Sequence, residues 1–171
     1  GDEANQKKLR ESLSAQLSHS DGIRGFMVSY LTGSGEATIT AEMIATEQDP
    51  QILLETVARL LSKENSEDLV SLMCMNVVMP IAMITMHNDP ALSEASRLTA
   101  ARGIRLLGSV VNASIKENLR AISTAANSSS DDKLVQYWTD FFAKWGYEEA
   151  QKKDIAAAVE ELISKSSQEA Q

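Results

Sequence analysis

Apolar residues recur along this chain at spacings of three and four, broken by short polar stretches, and that rhythm predicts helices almost throughout. Leu9, Leu13 and Leu17 make one stripe over residues 3–17, facing away from Lys7, Lys8, Arg10 and Glu11. After the Ser18-His19-Ser20-Asp21-Gly22 break, Ile23, Phe26, Met27, Tyr30 and Leu31 carry the same spacing until Gly33. Residues 33–48 are the least regular. They read as a loop with a short helix, in which Thr38-Ile39-Thr40 could be extended.

Asp49-Pro50 is a helix start, because the Asp carboxylate can cap free amides and proline fits the first turn. Leu53, Val57, Leu60 and Leu61 mark the buried face that follows, and Asn65 or Ser66 caps the next helix. From Pro90 the pattern stays helical to about residue 126, along a seam of Ile104, Leu107, Val111, Ile115, Leu119 and Ile122. Gly103, Gly108 and Asn112 are soft points where it can bend or break. Asp131 or Asp132 opens a helix over 131–145, stopped by Gly146. A last helix, about 147–165, turns Ile155, Val159, Leu162 and Ile163 inward. The expected fold is therefore all-α: one domain over 1–171, a bundle of about seven helices, fraying at 1–3 and 166–171.

Leu69–Met86 runs eighteen residues without a charge, long enough for a crude membrane span. Asn76 and Pro80 sit inside it, Glu67 and Asp68 flank it, and no basic cluster marks one end. Neighbouring helices that are apolar on one face need something to cover, which makes this helix the expected centre of a soluble bundle. Pro80 removes a hydrogen bond to the Asn76 carbonyl, so a kink is expected, with the Asn76 side chain bonding the freed backbone. Asn76, Pro80, Met79 and Met83 are the candidate pocket for an apolar ligand at that kink. Met79, Met83, Met86 and His87 share a face in a pattern that would suit Cu(I) beside Cys74, but the spacing is generic and core packing is preferred. No metal or cofactor is expected.

The charge is uneven. The net value is −8, and acidic ends flank a middle third in which acids and bases balance. That balance argues against nucleic acid and against anionic membranes as partners. One cysteine excludes an internal disulfide framework, and with no secretory signal visible the expected compartment is the cytoplasm. The chain starts on Gly1 rather than methionine, which leaves an upstream segment open.

Catalytic fingerprints are missing: there is no HExxH, GxSxG, P-loop or GxGxxG run. A Cys74–His87 pair on one straight helix would lie roughly 20 Å apart. If 90–126 is continuous, Arg102, Arg105, Lys116 and Arg120 fall within a stripe roughly 60° wide, a candidate site for an anion or acidic partner. The plainer reading has outer acids neutralise it, such as Glu148, Glu149, Glu160 or Glu161. Residues 137–147 hold six of the eight aromatics, and Trp138, Phe142 and Trp145 are candidate interface anchors on a helix that also packs the core. These features point to a non-catalytic helical interaction or regulatory module, with a protein partner or a second copy of the chain as its target. The alternatives are a binder of an apolar small molecule or pigment, and an enzyme whose groups converge from distant helices.

Overall fold

Side-chain caps start three of the helices in the computed structural model, which describes residues 1–35 and 37–169. Nine helices occur among the described residues: α1 (Asp2–Gln16), α2 (Ser20–Thr32), α3 (Thr38–Thr46), α4 (Gln51–Leu61), α5 (Glu67–Met86), α6 (Pro90–Ser109), α7 (Ala113–Asn127), α8 (Lys133–Lys144) and α9 (Glu149–Glu169). Asp89 caps α6 by accepting from the Ala91 N–H at 2.9 Å. Asp132 caps α8 by accepting from Leu134 and Val135 at 3.0 and 3.1 Å. Gly33 ends α2 in the left-handed conformation, with φ of 73°, which glycine adopts without penalty. At the chain ends, α1 already begins at Asp2 and α9 continues to Glu169 where fraying was expected, while 170–171 lie outside the described residues.

The structure decides two open points and corrects the cap expected at Asp49. The stretch 90–126 is two helices, because Asn112 takes an extended conformation and its side-chain oxygen accepts from the Ile115 N–H at 2.9 Å. A side chain that caps a new helix cannot also continue the old one, so the long seam divides between α6 and α7. The short helix expected within 33–48 is α3, and Thr38-Ile39-Thr40 forms its first turn instead of an extended segment; α3 buries Ile39, Thr40 and Met43. Asp49 precedes α4 but does not cap it; Pro50 occupies that position and the Asp49 carboxylate is engaged elsewhere.

α5 is the axis, packed against α2, α6, α7 and α9. Val70, Met73, Cys74, Val77, Val78, Ile81 and Ala82 are buried in one core cluster with residues from most of the other helices. α5 stays helical through Pro80, where the Asn76 carbonyl has no N–H to accept. α6 closes on that point. A Cβ at Gly103 would lie 2.9 Å from the Asn76 carbonyl oxygen, so only glycine permits this approach. The Asn76 side chain does not serve the backbone freed by Pro80; its Nδ2 donates to the Leu72 carbonyl at 2.7 Å. Helical side chains lean toward the N-terminus, which puts the preceding turn within its reach.

α5 is the one helix among the described residues long and apolar enough to cross a membrane, and only half of that stretch is buried. The reason is α8. It shares a broad seam with α7 and none with α5 or α2. Trp138 of α8 is fully buried and donates from Nε1 to Asn118 Oδ1 of α7 at 3.2 Å, which fixes α8 on that side.

Candidate functional site

Because α8 stands off from α5, a groove of about 680 Å³ opens between α2, α5 and α8. Its floor is one side of α5: buried Leu72 with half-buried Met75, Asn76 and Met79. One wall is α2, with Arg24 and Val28; the other is α8, with Tyr137, Asp140, Phe141, Lys144 and Trp145. Three of its large apolar residues are well exposed: Val28 at 57%, Tyr137 at 43% and Trp145 at 45%. Phe141 stacks edgewise on Trp138 and tilts toward Trp145, so the exposed indole rests on a fixed aromatic base. The Lys144 ammonium lies 5.7 Å from the centre of the Trp145 ring, within the range of a cation–π contact.

The groove sorts the sequence candidates. Asn76 and Met79 line it, whereas Pro80 and Met83 are half-buried and do not. Of the three interface candidates, Trp138 and Phe142 are core residues, and Trp145 alone is at the surface. Arg24, Val28, Met75 and Lys144 were not singled out from the sequence. Val28 carried a signal, as an apolar residue off the Ile23–Leu31 stripe on the outer face of an amphipathic helix.

The basic stripe is not a stripe. Arg102 and Arg105 belong to α6, Lys116 and Arg120 to α7, and the break at Asn112 separates them. The first two are spent on structure. Arg102, 5% exposed, holds Glu47 through Nη2 and Nε and donates from Nη1 to the Leu31 carbonyl at 3.2 Å. Arg105 grips Asp49 in a bidentate pair at 3.1 and 3.2 Å and also donates to the Glu47 carbonyl at 2.9 Å. The Asp49 carboxylate, 2% exposed, accepts a third bond from the Tyr30 hydroxyl at 2.6 Å. Burial, reinforced by that carboxylate, pushes the Tyr30 hydroxyl far above its ordinary range. The Arg102 hydrogen bonds hold the Glu47 carboxyl below the usual carboxylate range, despite the opposing effect of burial. Neutralisation thus comes from the α3–α4 connection, not from Glu148, Glu149, Glu160 or Glu161.

A second cleft, of about 740 Å³, lies near the starts of α5, α7 and α8. Its lining sets Lys63 and Lys133 against Glu64, Glu67, Asp68 and Glu117, so acids outnumber bases within it. Nothing there resembles a catalytic arrangement. His19 precedes α2 in an exposed position, His87 ends α5, and neither lines the groove or this cleft. Cys74 is fully buried, and burial pushes its thiol up to about 12, which leaves it inert. Among the described residues no three His, Cys, Asp or Glu side chains converge on a point where a metal ion could sit.

Residues 1–162 match the family described as uncharacterised conserved protein UCP020893, and the chain belongs to that family. No curated protein and no solved structure matches the chain significantly.

Proposed function

We propose that this chain is a non-catalytic interaction module that receives a helix of a protein partner in the α2–α5–α8 groove. One observation carries the reading. α5 carries no charge from Leu69 to Met86, yet the strip bearing Met75 and Met79 is only half-buried between two walls that expose Val28, Tyr137 and Trp145. A helix of that kind is normally enclosed, and an exposed apolar channel in a soluble domain marks a contact surface. The residue types suit the role. Methionine adapts to varied partner shapes, and partly exposed tryptophan and tyrosine anchor interfaces because they bury large area at small entropic cost. An amphipathic helix laid in an apolar groove is the recurring recognition mode with this geometry.

A small apolar ligand is the second reading, favoured by a volume inside the range of ordinary ligand sites and by the Asn76 amide in the floor. It ranks lower because the groove opens to solvent instead of closing over its contents. The two are separated by what is retained on the protein purified from its own source. The helix reading expects a macromolecular partner that stays with the wild type and with Leu98→Ala, an exposed change on α6. The partner should be lost with Trp145→Ala and with Met79→Glu. Equal retention by all four chains would remove the groove from consideration, and a retained small molecule displaced by Met79→Glu would promote the second reading.

A further inference from the structure

We infer that the occupant of the groove is an amphipathic helix whose apolar stripe is bordered on both edges by acidic side chains. This rests on the interaction reading above and names the partner's chemistry. The floor contributed by α5 carries no charge, so it selects only for an apolar stripe. The two walls differ. Arg24 stands on the α2 wall and Lys144 on the α8 wall, so a helix lying between them meets a cation along each edge. The single opposing charge in the lining is Asp140. A chain of net charge −8 therefore presents an excess of cations at this groove.

Neither cation is strongly committed. Arg24 reaches only Asp21, at 3.6 Å, and both side chains are highly exposed. Lys144 forms no ion pair with any described residue; its ammonium lies over the Trp145 ring. The contrast is with Arg102 and Arg105, whose guanidiniums are engaged by two carboxylates and two backbone carbonyls. A partner carboxylate at each edge would supply what the fold leaves out at the groove, and it would orient the incoming helix and reject basic competitors.

The probes are two synthetic amphipathic helices with the same leucine stripe, one edged with glutamate and the other with lysine. Binding is read from the emission of Trp145, with Trp145→Phe as the blank, since Trp138 is sealed in the core. The salt is set near ~0.1 M, where the Debye length of about 10 Å screens the distant net charge more than contacts at the rim. The glutamate-edged helix should bind roughly three- to tenfold tighter, as expected for a few exposed charge pairs. The preference should vanish near ~1 M salt and reverse in the Arg24→Glu/Lys144→Glu double variant. If both helices bind equally, or the lysine-edged one binds tighter to the wild type, the acidic edge is wrong while the groove reading stands. If neither binds, the groove reading fails and this inference fails with it.

Discussion

Two regions of this molecule bring cations to an apolar surface, and they end differently. At the α3–α4 connection, Arg102 and Arg105 meet Glu47, Asp49, Tyr30 and the Leu31 carbonyl, and every charged group in the cluster has a partner. At the α2–α5–α8 groove, Arg24 and Lys144 border a channel of methionine and aromatic side chains that no described helix covers. The first region does structural work. It ties the end of α3 to α6 and α2, which matters because α3 shares no broad seam with any other helix. The second leaves apolar area and charge unsatisfied within the chain, which is the condition of a surface awaiting a partner. Satisfaction, more than charge or composition, separates them.

Substitutions can break that contrast. Arg102→Ala strands the Leu31 carbonyl and leaves the Glu47 carboxylate to Arg105 alone, and should lower the unfolding free energy in urea by about 3 kcal/mol. That is the low end for a broken buried pair, because Glu47 is half-exposed. Partner binding by the fraction that stays folded should be unchanged. Trp145→Ala should do the reverse. Its effect on stability should stay under about 1 kcal/mol, while partner affinity measured by calorimetry falls roughly 30-fold, as for an interfacial tryptophan anchor. A loss of stability as large as that of Arg102→Ala would place Trp145 with the core instead.

Gly103→Ala sharpens the comparison from behind the groove. The added methyl would press on the Asn76 backbone oxygen, which cannot swing aside as a flexible side chain could. A net loss of about 1–2 kcal/mol in urea denaturation is expected even after the helix-propensity gain of about 1 kcal/mol for alanine. The smallest effect is on pH. The Glu47 carboxyl is held below its ordinary value of 4.5, so its stabilisation is complete above that value and is lost as pH falls through the lower folded value. The Tyr30 hydroxyl is held above its ordinary value of 10.0, so its contribution is complete below that pH and declines as pH rises beyond it. Glu47→Gln should flatten the acid limb of a urea-midpoint profile and Tyr30→Phe the alkaline limb. Each limb unchanged in its own variant would detach that residue from the cluster.

Much of the fold was legible because its signals are local. Asp89 and Asp132 cap their helices within three residues, Gly33 ends α2, and the apolar stripes of α1, α2 and α4 face the core as their spacing required. The failures came where a local rule met a distant partner. Asp49 has the sequence context of a cap but is drawn away by Arg105 and Tyr30, and no window of sequence contains all three. Asn112 is a different case: its cap on Ile115 is local, but apolar periodicity on both sides leaves one helix or two equally compatible with the sequence. At the groove, Asn76, Met79 and Trp145 were found by composition on two separate helices, but the space joining them depends on α8 leaning on α7 through Trp138 and Asn118. That tilt is a tertiary fact with no signature in either helix alone.

Site-specific photocrosslinking in the organism of origin tests the groove most directly. A photoreactive phenylalanine analogue would replace Trp145 in one chain and Leu98, exposed on α6, in another. Under irradiation the position-145 chain should yield one discrete protein adduct, joined through a segment with an apolar stripe of helical spacing, while the position-98 chain yields none. Adducts of the same identity and amount from both positions, or no protein adduct from position 145, would contradict the assignment of the groove as the partner site.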